Sequence, residues 1–224
     1  MSIKDNINKL RMEIPEGVEL LAVSKTKPIE DLEEAYQSGI RDFGENKVQE
    51  LLNKVEHFHN DVRWHLIGQL QSNKVKYLVD KVYLIHSLSS IKLLNEIERV
   101  FGKANKVAKT LIQINIGREE SKSGILEEEL SEIIDAVEKC HNVLVKGIMV
   151  IIPKGDDESN REYFKKTKRI FEYLKKRDYK NINMEILSMG MTQDFKIAIE
   201  EGSTLVRVGQ GVFGKRNYNV GGEK

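Results

Sequence analysis

A lysine closely follows the first apolar segment of the chain. Residues 20–23 read Leu-Leu-Ala-Val, and Ser-Lys-Thr-Lys-Pro comes next, so Lys25 lies two residues after the end of that segment. If the segment is a buried strand, desolvation favours the neutral Lys25 amine, which can condense with a carbonyl group. The alternative is an exposed lysine in a turn, paired with a surface carboxylate, and these residues alone leave both descriptions open.

Two glycine-containing segments near the C-terminus are suited to binding an anion. They are Ser-Met-Gly-Met-Thr at residues 188–192 and Arg-Val-Gly-Gln-Gly at residues 207–211. Backbone N–H groups in such loops can point at a phosphate. The candidate donors are the Ser188 hydroxyl and the N–H groups of Gly190, Met191, Gly209, Gln210 and Gly211. The alternative is that these glycines only permit tight turns.

An arginine lies inside the last predicted strand, between Val206 and Val208. If the valines face outward, Arg207 points inward and needs a partner because it stays charged. That partner is either Glu45 or an acceptor atom of a bound ligand. Asn46, which follows the second predicted strand, can contact such a ligand or cap a helix or turn.

Several classes of protein and site are disfavoured. The 36 Lys and Arg residues balance 35 Asp and Glu residues, which argues against nucleic-acid binding, and no apolar run suggests a membrane span or signal peptide. The lone Cys140 is typical of a protein from a reducing compartment such as the cytoplasm, and the five histidines lack the spacing of a metal site. We therefore expect no bound metal.

The elements that must position these residues alternate regularly. Apolar, β-branched segments predict strands near residues 18–23, 42–44, 64–67, 82–85, 110–115, 144–152, 183–187 and 205–208, with helical patterns between them. An extra helix is predicted at residues 2–13, another near residues 73–79 and a short one after Gly211. Eight such units predict an α/β fold, a single (β/α)8 barrel of the TIM type over residues 1–224. A doubly wound sheet more often has five or six units.

The motifs resemble a known family. LLAVSKTKP at 20–28, FGENKVQE at 43–50, WHLIGQLQSNK at 64–74, SKSG at 121–124, LSMGM at 187–191 and GSTLVRVGQGVFG at 202–214 are similar to the pyridoxal phosphate homeostasis proteins. That family resembles the N-terminal barrel of bacterial alanine racemases. The resemblance covers residues 4–218. This chain departs from it at Gln69, where proline is common, and at Gln210, where threonine is common.

The resemblance implies a cofactor site for pyridoxal 5′-phosphate (PLP). Lys25 would hold PLP as an internal aldimine, and Ser188 with residues 209–211 would hold the phosphate. Arg207 would face the pyridine nitrogen, and Asn46 would lie beside the cofactor. Because Gln210 replaces a threonine, only its backbone N–H is expected to serve the phosphate.

The resemblance and the site chemistry together predict a carrier or buffer of PLP with little or no catalysis. An arginine at the pyridine nitrogen disfavours the protonated ring that most PLP enzymes use. The racemases also take a tyrosine base from a second domain, and this chain is expected to lack that domain. PLP-dependent apo-enzymes are candidate recipients, and we expect a monomer or weak dimer.

The alternative is a Schiff-base enzyme on the same barrel, either a weak amino-acid racemase or an aldolase. An aldolase would need an acid or base near Lys25. Glu45 and His65 are the candidates that the sequence offers.

Overall fold

Eight parallel strands form the centre of the structure, a computed structural model that describes residues 2–214. They are β1 (Glu19–Val23), β2 (Asp42–Glu45), β3 (Arg63–Leu66), β4 (Leu84–Leu88), β5 (Ala108–Ile114), β6 (Val143–Val150), β7 (Ile182–Met191) and β8 (Leu205–Val208). Each strand pairs with the next, and β8 pairs with β1, where Leu21 lies opposite Arg207. The predicted (β/α)8 barrel is confirmed.

Helices surround the strands. They are α1 (Ile3–Glu13), α2 (Ile29–Gln37), α3 (Val48–His57), α4 (Ile91–Lys103), α5 (Leu130–Val137), α6 (Asp157–Lys175), α7 (Phe195–Glu200) and α8 (Gln210–Phe213). The extra N-terminal helix is confirmed as α1. Its first turn is capped because the Ser2 hydroxyl accepts from the Asp5 N–H at 3.1 Å, while the Asp5 carboxylate accepts from the Ser2 N–H.

Alternation along the strands divides the core into two layers. Val206 and Val208 pack in the large apolar core between barrel and helices. The residues that alternate with them face the barrel interior, where Leu21, Ile67 and Leu205 form a small separate cluster. This alternation points Arg207 inward, as the sequence predicts.

Two strands run further than their sequence patterns suggest. β4 continues through His86 and Ser87, and β7 continues to Met191. The patterns end early because polar residues mark loops on average, whereas here His86, Ser87 and Ser188 are completely buried. Polarity is therefore a poor guide to strand ends inside this barrel.

Two helical expectations also change in detail. The segment predicted near residues 73–79 is a short 3-10 helix, Ser72–Tyr77. The closing helix begins at Gln210, one residue before Gly211. None of the helices within residues 2–214 has both the length and the apolar composition needed to cross a bilayer.

Candidate functional site

A cavity of about 430 Å³ lies at the carboxyl ends of the strands. Six of the predicted site residues line it: Lys25, Asn46, Met191, Arg207, Gly209 and Gln210. In a barrel of this type the active or binding site is found at this end of the strands. The cavity is therefore the candidate site.

The turn after β1 places Lys25 at the cavity. The Ser24 N–H donates to the Gly44 carbonyl of β2, and the Lys27 N–H donates back to the Ser24 carbonyl, both at 3.0 Å. Between them Thr26 adopts a left-handed conformation with φ of 63°, which is rare for a β-branched residue. Its N–H donates to Glu50 at 2.5 Å, so a long-range contact holds this strained turn.

A buried lysine on α3 fixes the same turn from behind. Lys54 Nζ donates to the Ser24 carbonyl at 2.8 Å, to Glu45 at 2.7 Å and to Glu50 at 2.9 Å. We call Ser24, Glu45, Glu50 and Lys54 the Lys54 cluster. Lys54 is not among the residues predicted from sequence, although its position three residues after Leu51 on the apolar side of α3 is a signal of a buried lysine.

Glu45 belongs to this cluster and faces the helices, not the cavity. Its Oε1 accepts from the Ser24 hydroxyl at 2.6 Å and from Lys54, whereas its Oε2 is buried with no hydrogen-bond partner among residues 2–214. Burial raises the pKa of Glu45 from 4.5 to about 7, and the nearby Lys54 opposes that rise. The suggestion that Glu45 is the partner of Arg207 is wrong, because its oxygen is bound by Ser24 and Lys54 on the other side of the strand.

Arg207 is 4% exposed and faces the cavity from the barrel interior. Its Nη1 donates to the Ser188 hydroxyl at 2.6 Å, and its Nη2 donates to the Val150 carbonyl at 2.8 Å. Burial lowers the pKa of Arg207 from 12.5 to about 10, while Asp194 opposes that shift. The guanidinium therefore remains charged at neutral pH.

Three predicted residues, Ser188, Gly190 and Gly211, are not among those lining the cavity. Ser188 is buried inside the barrel, three residues and about 10 Å before the end of β7. Gly190 has φ of +93°, and a Cβ there would lie 2.6 Å from the Ala198 Cβ. A Cβ at Gly211 would lie 2.6 Å from Val208 Cγ1, so both glycines serve close packing.

The backbone donors near the strand-seven loop are also partly engaged. The Met191 N–H donates to Asp194 Oδ1 at 2.5 Å, so the structure directs it away from a ligand. The Gly211 N–H contacts the Thr192 hydroxyl at 3.4 Å. Thr192 lines the cavity, and its hydroxyl is a polar group that the sequence analysis left out of the candidate site although it directly follows the LSMGM motif.

The charge of the cavity lining is strongly one-sided. Lys25, Lys27, Lys122 and Arg207 line it, and within the described chain no carboxylate, histidine, tyrosine or cysteine does so. Lys27 also donates to the Phe213 carbonyl at 3.0 Å, which ties α8 to the turn after β1. Such a lining suits an anionic ligand. Elsewhere in residues 2–214, no three His, Cys, Asp or Glu side chains are grouped as metal ligands.

The fold and the site define a class of protein, the barrel domain of the alanine racemase type. A family model described as "Alanine racemase, N-terminal domain" matches residues 1–217. An alanine racemase of Clostridium difficile shares this fold with a TM-score of 0.81 over 97% of this chain and 57% of its own, at 13% identity.

The particular family follows from closer relatives. A pyridoxal phosphate homeostasis protein of Aquifex aeolicus is 46% identical over 201 residues, which are 89% of this chain and 87% of that protein. PipY of Synechococcus elongatus, solved with PLP bound, is 32% identical with a TM-score of 0.87, covering 95% of this chain and all of its own. The chain belongs to the pyridoxal phosphate homeostasis protein family, as its motifs predict.

Proposed function

We propose that this chain, acting as one PLP-binding barrel domain in the cytoplasm, carries or buffers PLP and takes part in vitamin B6 and amino-acid homeostasis. The observation that carries the proposal is the placement of Lys25 and Arg207 in one cavity that has only cationic charges among its described lining residues. PipY, a relative with 32% identity, was solved with PLP bound. The proposed recipients of PLP are PLP-dependent apo-enzymes. We propose that the carrier itself is a monomer or weak dimer.

The residues present fit this cofactor. When bound, PLP supplies an aldehyde carbon that an amine can attack to form a carbon–nitrogen double bond. Lys25 lines the cavity, and the turn between Ser24 and Lys27 holds its backbone there. Deeper in the barrel, Arg207 presents a buried guanidinium that donates hydrogen bonds and accepts none, so a ring nitrogen facing it stays unprotonated.

The phosphate would lie among the cationic groups and the start of α8. Lys27 and Lys122 supply positive charge, and Gly209 and Gln210 bring backbone groups to the cavity. The Thr192 hydroxyl supplies a donor close to the Gly211 N–H. The Ser188 hydroxyl is buried inside the barrel, where it accepts a hydrogen bond from Arg207. We therefore propose that Ser188 binds Arg207 and does not contact the phosphate, although the sequence suggested that it would.

We propose little or no catalysis because, apart from lysines and Arg207, none of the described residues that line the cavity is a carboxylate, histidine, tyrosine or cysteine that could transfer a proton beside Lys25. Glu45 faces the helices, and His65 is fully buried within the barrel and absent from the cavity lining. A racemase or an aldolase needs an acid or base next to the reacting carbon. Both candidates for the enzymatic alternative therefore lie away from the site.

Chemical trapping tests the covalent role of Lys25. The protein is incubated with PLP and reduced with borohydride, and the modified peptide is identified by mass spectrometry. We expect modification at Lys25, its loss in Lys25→Ala and its retention in the matched variant Lys122→Ala, which removes another lysine of the same cavity. Modification at Lys27 or Lys122 in the wild type would contradict the assignment. Appreciable turnover of an amino-acid panel, abolished in Lys25→Ala, would contradict the carrier function.

A further inference from the structure

A continuous row of buried polar side chains crosses the barrel interior beneath the cavity. Arg207 Nη1 lies 2.6 Å from Ser188 Oγ, and Ser188 Oγ lies 3.2 Å from His86 Nδ1. His86 Nε2 lies 2.9 Å from His65 Nδ1, and His65 Nε2 lies 3.0 Å from Asp42 Oδ1. We call these five residues the interior chain. They come from five different strands, and none is more than 8% exposed.

The two ends of the interior chain have fixed hydrogen-bonding roles. Arg207 can only donate, and an ionised Asp42 can only accept. Asp42 is ionised at neutral pH: burial raises its pKa, but hydrogen bonds from His65 and Arg63 outweigh that effect and hold the pKa below its usual value. The direction of every hydrogen bond between these ends can therefore be derived.

One assignment gives every hydrogen along the interior chain an acceptor. Arg207 donates to Ser188, whose hydroxyl then donates to His86 Nδ1. His86 donates from Nε2 to His65 Nδ1, and His65 donates from Nε2 to Asp42. Both imidazoles are neutral and carry their hydrogen on Nε2.

The competing assignment leaves a hydrogen without a partner. If His65 were an imidazolium, its Nδ1–H would donate to His86 Nε2, and His86 would donate from Nδ1 to Ser188. The Ser188 oxygen would then accept from both His86 and Arg207, and its own hydrogen would have no acceptor in the interior chain. Asp42 would be the counter-ion of that imidazolium, so the unpaired Ser188 hydrogen is what disfavours this assignment.

We infer that the interior chain is a positioning device: two neutral histidines orient the Ser188 hydroxyl so that it accepts from Arg207 and holds the guanidinium at the floor of the cavity. The Val150 carbonyl fixes the other terminal nitrogen, so both ends of the guanidinium fork are bound. In terms of the proposed function, on which this step rests, Ser188, His86 and His65 are positioning residues for the group that faces the PLP ring. Burial, helped by the charge of Arg207, lowers the pKa of His86 well below its usual value, which agrees with a neutral His86 ring.

The first test needs no cofactor. Long-range ¹H–¹⁵N correlation spectra of the ¹⁵N-labelled wild-type protein, with histidines assigned by single substitutions, report which ring nitrogen carries hydrogen. We expect the spectra at pH 7 to show both His65 and His86 as neutral Nε2–H tautomers. A charged His65, or hydrogen on Nδ1 of His86, would overturn the inference. Because this measurement uses the wild type, it does not depend on any variant folding.

The second test breaks the chain at one hydroxyl. In Ser188→Ala we expect the separate, slowly exchanging ¹⁵Nη signals of Arg207 to merge and PLP affinity to fall about tenfold. The matched control is Ser87→Ala, which removes a fully buried hydroxyl on β4 that has no hydrogen-bond partner among the described residues. It should leave both readouts unchanged.

The outcomes separate the inference from the proposed function. If wild-type protein does not bind PLP, the proposed function fails, while the histidine tautomers and the Arg207 signals still test the interior chain. If PLP binds but Ser188→Ala retains the Arg207 signals and the wild-type affinity, the positioning role is refuted and the proposed function stands.

Discussion

The site is supported by two buried polar networks of opposite character. The Lys54 cluster lies between the barrel and α3, carries several charges and leaves Glu45 Oε2 without a partner within residues 2–214. The interior chain crosses the barrel and has charges only at its two ends. Every donor between those ends has an acceptor within the chain. The first network fixes the turn of Lys25, and the second fixes Arg207.

Because the two networks differ in charge, they can position two groups of the same cavity with different sensitivity to pH. A charged cluster with a raised carboxyl pKa changes its protonation near neutral pH. The interior chain has charged groups with fixed hydrogen-bonding roles at its two ends, and the inferred assignment makes the two histidines between them neutral. We therefore expect the Lys25 side of the cavity to respond to pH, while the Arg207 side stays constant.

The largest effect should follow removal of the cation from the Lys54 cluster. Lys54→Met leaves Glu45 buried without its ion-pair partner and should lower the free energy of unfolding by about 3–5 kcal/mol at pH 8. The loss should be smaller at pH 5.5, where Glu45 is protonated. Urea unfolding at both pH values measures this difference. An equal loss at both pH values, or no recovery in the Lys54→Met/Glu45→Gln double variant, would contradict the assigned charge on Glu45.

Glu45 itself should give the next largest effect, through pH. Its pKa rises from 4.5 to about 7 on folding, so the folded state binds more protons between these values. This contribution to stability is full below pH 4.5 and is lost as the pH rises through 7.

The matched variant Glu45→Gln lacks this titration. Between about pH 5 and pH 8, the free energy of unfolding of the wild type should fall by about 2 kcal/mol relative to Glu45→Gln. Parallel denaturant titrations of both proteins give that difference. If the wild type instead gains stability relative to the variant over this range, the sign is reversed. That result would show that Lys54 lowers the pKa of Glu45 by more than burial raises it.

The smallest effect should come from the interior chain, and it should not depend on pH. Ser188→Ala leaves a guanidinium N–H and an imidazole nitrogen unpaired, at a cost of about 1–3 kcal/mol in the free energy of unfolding. The cost should be the same at pH 6 and pH 8. Ser87→Ala, which removes an unpartnered hydroxyl, should be neutral or slightly stabilising. A cost for Ser188→Ala that varies between these pH values would mean that a histidine of the chain titrates.

Much of the candidate site follows from the sequence because strand periodicity is local. The alternation of Val206, Arg207 and Val208 predicts an inward arginine. The position of Lys25 after an apolar run leaves open a cavity lysine or an exposed one, and the family resemblance favours the cavity. Both residues line the cavity. Ser188 behaves differently, because its role depends on where β7 ends, and a buried serine resembles a loop serine in sequence.

The eight repeating units, the family and the positions of Lys25 and Arg207 at one end of the barrel can all be predicted from the amino-acid sequence. The hydrophobic periods of strands and helices involve only residues that are close in sequence, so predicting these elements needs no knowledge of long-range contacts. The contacts that hold Lys25 and Arg207 in place become visible only in the folded structure. Ser188 meets His86 across 102 positions of sequence, and Lys54 meets Ser24 across 30. Hydrogen-bond partners of buried groups are set by barrel closure and by the packing of helices on the strands, which bring side chains from distant parts of the sequence to within about 3 Å of each other.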